Sequence, residues 1–180
     1  MEIVAQILSI LSCAVLILSF QVKNNRHLFL MQTIAAAGFG ISYLLLGAFT
    51  GFLNNVIAFT NTLVLLCNRL RKKYIMYLIC AAYVAVPFIS LYLFNDTWTV
   101  RNIIATIISF IAPITQYAFT VATWKNDGKA IRAVRLFAVT PTWLAYNFVV
   151  LSIGGIICES FNIISIVVSF IRHGKDGFEK

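Results

Sequence analysis

Charged residues are scarce in this sequence. Only 11% of its 180 residues are charged and 61% are hydrophobic, whereas a soluble domain carries about a quarter charged residues. The composition therefore excludes a disordered chain, a secreted disulfide scaffold and most soluble enzymes. Together with a mean hydropathy of +0.90, it predicts an integral membrane protein.

The motifs of common enzymes and metal sites are also missing. The sequence has no HExxH, no GxSxG and no phosphate-binding loop. His27 and His173 lie near opposite ends of the chain, and the four cysteines form no CxxC pair. We therefore expect a protein that is not an enzyme, with no cofactor and no metal, and we interpret the cysteines as packing residues.

Seven apolar segments make up most of the chain. A spanning helix needs about 20 apolar residues, and its backbone groups must bond within the segment, so each segment predicts one helix. The fold class that we expect is an all-α integral membrane protein with seven transmembrane helices. The segments are Ile3–Phe20, Leu28–Gly47, Phe52–Cys67, Tyr74–Phe94, Trp98–Ala122, Leu136–Val150 and Ile153–Ile171.

Basic residues are confined to alternate connections between these segments. Of the 14 Lys and Arg residues, only Arg101 lies outside the first, third and fifth connections and the C-terminal tail. Cytoplasmic loops carry an excess of basic residues, which predicts an outside N-terminus and a cytoplasmic C-terminus. The net charge of +8 then reflects membrane orientation, and we expect no nucleic-acid partner.

The chain repeats itself at low resolution. Residues 1–73 contain three apolar segments with a fixed order of basic and uncharged connections, and residues 98–180 follow the same order about 101–104 positions later. We expect two parallel three-helix bundles, joined by a linking transmembrane helix at 74–97 and followed by a short cytoplasmic tail. Parallel repeats of this kind occur in transporters that bind their solute at the repeat interface.

Polar residues recur at helical spacing within several segments. They follow one another at steps of three and four through Gln116 in the fifth segment, and from Glu159 through Asn162 in the seventh. Such residues either join helices through hydrogen bonds or line a cavity. The candidate solute-binding residues are Asn54, Asn61, Gln116, Trp143, Tyr146, Asn147, Glu159 and Asn162.

Glu159 is the one carboxylate clearly inside an apolar segment. A charge there costs about 2.5–3.5 kcal/mol on insertion scales, and we expect no basic residue at its depth, although Arg101 could reach it from the outer face. Glu159 is then either a protonated group bonded to a neighbouring helix, or a ligand for a substrate or a coupling proton. Pro113 and Pro141 interrupt the backbone hydrogen bonds of their segments, and we predict that they are hinges.

Seven helices arranged as three, one and three resemble the SWEET sugar transporters and their PQ-loop relatives. The local sequence is similar in the order of Trp143, Tyr146, Asn147, Gly154, Gly155 and Asn162. The resemblance implies a pocket asparagine from the third helix of each half, which would be Asn61 or Asn54 in the first half and Asn162 in the second. No Pro-Gln pair occurs in this sequence.

A stretch near the end of the chain is similar to the YgjV-type bacterial inner-membrane proteins. It runs from Asn147 through Gly154-Gly155 to Glu159 and Phe161. The resemblance implies a multi-pass protein of the bacterial inner membrane, and it implies no substrate.

These features favour a facilitative or proton-coupled transporter that moves a small neutral or cationic polar solute by alternating access. Its partners would be the lipid bilayer and the solute, and the chain could act alone or as a homo-oligomer. The alternative is a non-transporting membrane scaffold or accessory subunit, whose polar faces are closed helix contacts. A third hypothesis, an intramembrane enzyme with Glu159 as its acid, lacks a second catalytic group.

Overall fold

The described part of the chain is helical throughout. The computed structural model describes residues 2–45, 49–67, 70–93, 100–150 and 153–173, and no strand occurs among them. The predicted all-α fold is thereby confirmed, while the predicted uncharged turns lie wholly or partly outside these residues. The helices are α1 (Glu2–Ser19), α2 (Asn25–Leu45), α3 (Phe49–Leu66), α4 (Lys73–Leu93), α5 (Val100–Trp124), α6 (Gly128–Val134), a π-helical segment (Arg135–Val139), α7 (Thr140–Val150) and α8 (Ile153–His173).

The sixth long helix of the bundle, residues 128–150, consists of α6, the π-helical segment and α7 without a break. The residues at its two junctions have α-helical dihedral angles. The sequence predicted a start at Leu136, whereas the helix begins about two turns earlier. The predicted basic connection is reduced to residues 125–127, so Arg132 and Arg135 belong to the helix and not to a solvated loop.

The turn before this sixth helix explains its early start. Asn126 has a φ of 57°, a left-handed conformation that asparagine tolerates and that ends α5. Asp127 then caps α6, because its carboxylate accepts the backbone N–H groups of Lys129 and Ala130, both at 3.0 Å. The chain therefore resumes a helix within three residues of leaving the previous one.

The π-helical segment lies directly before Pro141. Proline has no N–H group, and in an α-helix its ring clashes with the carbonyl oxygen four residues earlier, which here belongs to Phe137. The backbone N–H of Thr140 bonds to the carbonyl oxygen of Arg135, and this wider turn makes room for the ring. The irregular turn of the sixth helix thus coincides with a predicted hinge proline.

The two faces of α8 are reversed relative to a helix in a soluble protein. Its buried polar residues are Glu159, Asn162, Ser165 and Ser169. Its exposed apolar residues include Phe161, Ile164, Val168 and Ile171. A helix at the surface of a soluble protein turns its apolar stripe to the core, so α8 fits a bundle that is surrounded by lipid.

Two of the described helices are long and apolar enough to cross a membrane, namely Asn25–Leu45 and Gly155–Arg172. Three shorter apolar helices are Ile3–Ser19, Gly51–Leu66 and Lys73–Ile89. Core helices of soluble proteins can match them in length and composition, but those are mostly buried, whereas only 28% of Gly155–Arg172 is buried in the bundle.

Each helix packs mainly against its neighbours in the sequence, and α8 returns to contact α1, so the order of contacts closes on itself. The sulfur atoms of Cys13 and Cys158, both free thiols, lie 2.8 Å apart at this closing contact. An apolar core fills the basic end of the bundle. Its buried members are Phe20, Leu28, Phe29, Leu65, Phe119, Ala122, Ile131, Val139 and Ile166.

Arg132 ties three parts of the chain together at this basic end. Its guanidinium is fully buried. Its hydrogen-bond acceptors are the carbonyl oxygens of Phe20, Val22 and Gly128 and the hydroxyl of Ser169. The end of α1, the start of α6 and the last turns of α8 are therefore held by one side chain.

Two further side chains join helix ends at the basic end. The amide of Asn25 donates to the carbonyl oxygen of Asn126 at 2.8 Å, and these positions are 101 residues apart, which is the offset of the predicted repeat. Arg71 donates to the last carbonyl oxygens of α5, those of Thr123 and Trp124. Burial lowers the pKa of Arg71, but a guanidinium stays protonated at neutral pH.

A glycine contact recurs at the opposite end of the bundle. A Cβ atom on Gly51 would lie 2.8 Å from the ring of Tyr43, and a Cβ atom on Gly155 would collide with the amide of Asn147. Each glycine therefore lets one helix pack directly against the preceding one. The glycine follows its contact residue by the same interval in both places, so the local packing is alike in the two.

Replacing Arg132 by leucine should destabilise the protein strongly. The change removes a buried charge-assisted network, and hydrogen bonds to charged groups contribute about 1.5–3 kcal/mol each, so the free energy of unfolding should fall by about 3 kcal/mol. Lys129→Leu is the matched control, because Lys129 is exposed on the same helix and should change stability by about 0.5 kcal/mol or less. Denaturant unfolding in detergent, followed by tryptophan fluorescence, measures both. Equal stability of the two variants would contradict the structural role of Arg132.

Candidate functional site

A narrow cleft lies between α3, α4, α5 and α7. It has room for about one water molecule, so the structure is closed around it. The sequence predicts Asn54, Trp143 and Tyr146 as binding residues and Pro113 as a hinge. In the structure all four line this cleft. The full lining is Asn54, Tyr83, Val86, Pro87, Ala112, Pro113, Trp143 and Tyr146.

The aromatic wall of the cleft comes from α7. Trp143 and Tyr146 are three residues apart and share one face of the helix. Their rings meet edge to face, with centroids 5.6 Å apart and an interplanar angle of 79°, which is a favoured aromatic geometry. Trp143 also packs against the apolar core, so the cleft and the closed basic end share a side chain.

A buried ion pair lies beside α5, between the sixth helix and α8. Nη2 of Arg135 is 3.3 Å from Oε1 of Glu159, and their side chains are only 12% and 11% exposed. Nδ2 of Asn162 donates to the other carboxylate oxygen, Oε2, at 3.1 Å. The guanidinium also lies over the ring of Phe119, 6.0 Å from its centroid. We call Arg135, Glu159 and Asn162 the charged cluster.

The charged cluster corrects one expectation from the sequence. No basic residue was expected at the depth of Glu159, yet Arg135 pairs with it, because the sixth helix begins early enough to carry Arg135 into the bundle. The buried carboxylate of Glu159 therefore has an opposite charge beside it within the bundle. The side chain of Arg101, the other suggested partner, lies outside the described part of the structure.

The remaining predicted residues occupy separate contacts. Oδ1 of Asn61 accepts the indole N–H of Trp124 at 2.9 Å, which joins α3 to α5. Gln116 is buried on the inner face of α5. Asn147 packs against Gly155 near the turn into α8. Pro141 follows the π-helical segment and is not among the residues that line the cleft.

Sequence reasoning missed three residues that shape these sites. Arg132 and Arg135 were assigned to a basic loop, and Tyr83 was not singled out, although it lines the cleft. The run Asn126-Asp127-Gly128 contains a turn signal followed by a capping aspartate. Reading it as a helix start would have placed both arginines, three residues apart, on one helical face. Tyr83 carries no comparable signal, because an aromatic residue in an apolar segment is not distinctive.

A metal site is not supported by the side chains that the structure describes. Among residues 2–45, 49–67, 70–93, 100–150 and 153–173, no three His, Cys, Asp or Glu side chains lie close enough to hold a metal ion. The charged cluster has one carboxylate and a competing guanidinium, which is an unfavourable donor set for a cation. Its chemistry is hydrogen bonding and charge pairing.

Inward polar faces, outward apolar faces and a buried ion pair define a helical bundle that resides in a membrane. A family model described as a bacterial inner membrane protein, Imp-YgjV, matches residues 3–176. The match spans nearly the whole chain, so the chain belongs to this family of bacterial inner membrane proteins, and the predicted location in that membrane is confirmed. No curated protein and no solved structure matches the chain.

Breaking the charged cluster on one side should cost more than removing both charges. Arg135→Met leaves Glu159 buried without its partner and should lower the free energy of unfolding by about 3 kcal/mol. The double variant Arg135→Met/Glu159→Gln should lose at least about 1 kcal/mol less than the sum of the single variants.

The control for this double-mutant comparison combines Glu159→Gln with Arg71→Met. Arg71 contacts the end of α5, not Glu159, so these two changes should add within about 0.5 kcal/mol. Chemical unfolding in detergent measures all of these variants. Strict additivity for Arg135 and Glu159 would mean that the ion pair does not form.

Proposed function

We propose that this inner membrane protein is a facilitative or proton-coupled transporter for a small polar solute. The cleft between α3, α4, α5 and α7 is the observation that carries the proposal. It combines the amide of Asn54, the Trp143–Tyr146 pair and two prolines inside a membrane bundle. Aromatic and amide groups suit a neutral polar solute, and a site between helical units suits alternating access.

The proposal includes seven membrane spans in a SWEET-like arrangement of two three-helix bundles and a linking helix. With the N-terminus outside, the basic end faces the cytoplasm. The apolar core and Arg132 close that end. Asn54 lies near the start of α3, and Tyr146 near the end of α7, so the cleft lies toward the outer side. A solute would enter from outside and leave when the basic end opens.

The charged cluster favours a neutral solute over a cationic one. A cation would need the carboxylate of Glu159, which is already paired with Arg135. Displacing the guanidinium would leave a second buried charge to be compensated. Proton coupling would act through Glu159, the carboxylate of this pair.

The scaffold alternative rests on a different observation. Several predicted binding residues already bond to other side chains, as in the bond from Trp124 to Asn61 and the bond from Asn162 to Glu159. Closed contacts of this kind hold helices together in membranes. A scaffold or accessory subunit would therefore lose assembly with a stoichiometric partner, and not solute flux, when these contacts are changed.

Flux through the purified protein tests the transport proposal. The protein is reconstituted in liposomes and screened against sugars, vitamins, nucleosides, amino acids and amines. Trp143→Ala should lower uptake of the transported compound about tenfold, equivalent to 1.4 kcal/mol of binding, because it removes an aromatic wall. Phe148→Ala is the control on the same helix, since Phe148 is 57% exposed and should leave uptake unchanged.

Two outcomes would decide against transport. One is a panel in which no compound enters the liposomes faster than into protein-free liposomes. The other is equal uptake by the two variants. Co-purification of a stoichiometric membrane partner, lost in Asn61→Leu, would then favour the scaffold.

The proposed orientation is testable by cysteine labelling in intact spheroplasts. In a variant without native cysteines, Asp96→Cys should react with a membrane-impermeant maleimide, because the 95–97 connection would face outward. Lys129→Cys should react only after the membrane is made permeable, since the basic connections would face the cytoplasm. The reverse pattern would overturn the orientation without affecting the fold.

A further inference from the structure

Two polar atoms of the charged cluster are buried without a partner. Nε of Arg135 and Oδ1 of Asn162 form no hydrogen bond among the described residues. Asn162 is fully buried, so water at the protein surface cannot reach it. A buried polar group without a hydrogen bond is destabilising, and native proteins rarely leave such a group without a partner.

These two atoms belong to groups that already converge on one carboxylate. In a guanidinium, the Nε–H and one Nη2–H lie along the same edge, and Nη2 of Arg135 is bonded to Oε1 of Glu159. The amide of Asn162 bonds to Oε2 through Nδ2, which leaves Oδ1 as a free acceptor. The cluster therefore presents one unused donor and one unused acceptor.

Two threonine hydroxyls in the same part of the bundle are also unsatisfied. Thr120 and Thr140 are fully buried, and their Oγ1 atoms have no partner among the described residues. Threonines in helices commonly bond to a carbonyl of their own helix, as Thr123 and Thr142 do at 2.8 and 2.9 Å. Thr120 follows Phe119, whose ring lies under the guanidinium of Arg135, and Thr140 ends the π-helical turn that begins at Arg135.

We propose that the charged cluster is a binding position for one neutral hydroxyl group, held between Nε of Arg135 and Oδ1 of Asn162. A hydroxyl suits both atoms, because it accepts from the guanidinium and donates to the amide oxygen. A cation would meet Arg135 and an anion would meet Glu159, so neither fits. The hydroxyl can come from a water molecule or from the transported solute, and only the second source rests on the proposed transport function.

A structure of the purified protein in a lipid nanodisc, at a resolution that shows ordered water, tests the position itself. Density is expected within hydrogen-bond distance of both Nε of Arg135 and Oδ1 of Asn162. The same density should be missing in Asn162→Leu. An empty position in the wild-type protein would overturn the proposal, whether or not the variant folds.

Erythritol is the probe that separates the two sources. A solute site predicts saturable thermal stabilisation of the wild-type protein by erythritol, with affinity about fivefold weaker in Asn162→Leu, which is equivalent to the loss of one hydrogen bond of about 1 kcal/mol. Asn55→Leu is the matched control, because the half-buried Asn55 lies on α3, outside the charged cluster, and its amide donates to the carbonyl oxygen of Gly51. It should keep the wild-type affinity.

Each result has a distinct meaning. Density together with erythritol binding that depends on Asn162 supports a solute hydroxyl. Density without any effect of erythritol supports a bound water, so the position stands while a hydroxylated solute loses support. Solute uptake by the wild-type protein and by Trp143→Ala is measured separately in liposomes. A failed transport proposal therefore cannot be mistaken for a failed binding position.

Discussion

Lipid offers no hydrogen bonds, and this constraint governs the whole bundle. Polar side chains must find partners inside, and apolar side chains are free to face outward. The seventh long helix, α8, shows this arrangement clearly, because Glu159 and Asn162 are buried and Phe161 and Ile164 are exposed. A charge inside such a bundle needs an opposite charge or a network of polar groups. Glu159 has an opposite charge in Arg135. Arg132 has a network of polar groups, since it donates to carbonyl oxygens at helix ends.

The sixth helix connects three polar regions in the described part of the chain. Its first turns carry Arg132 to the closed basic end, its π-helical turn carries Arg135 to Glu159, and its last turns carry Trp143 and Tyr146 to the cleft. The π-helical turn before Pro141 separates the first two from the third. A rotation at that turn would move the cleft wall relative to the two arginines, so one local change could couple the cleft to the basic end.

Sequence periodicity predicted the helices and the inward polar faces, because a polar residue at every third or fourth position of an apolar segment has only the bundle interior to face. It did not predict the partners. Asn61 is predicted to contact a solute, and in the structure its Oδ1 accepts the indole N–H of Trp124, a contact between α3 and α5 that neither segment reveals alone. Arg135 was missed for a different reason. Basic residues next to an apolar segment normally belong to a loop, and the local cap at Asp127 outweighs that tendency.

The placement of the contacts indicates which ones a moving protein could exchange. Arg132, Asn25 and Arg71 bind carbonyl oxygens at helix ends. Water can replace these bonds once the ends separate, at a net cost of about 0.5–1.5 kcal/mol for the neutral amide and about 1.5–3 kcal/mol for a bond to a guanidinium. The pair of Arg135 and Glu159 has no such substitute, because its neighbours are buried side chains such as Phe119. Opening of the basic end should therefore break the contacts at the helix ends and keep the charged cluster together. Under that mechanism the part of the sixth helix before Pro141 would move together with α8, because the ion pair of Arg135 and Glu159 joins them.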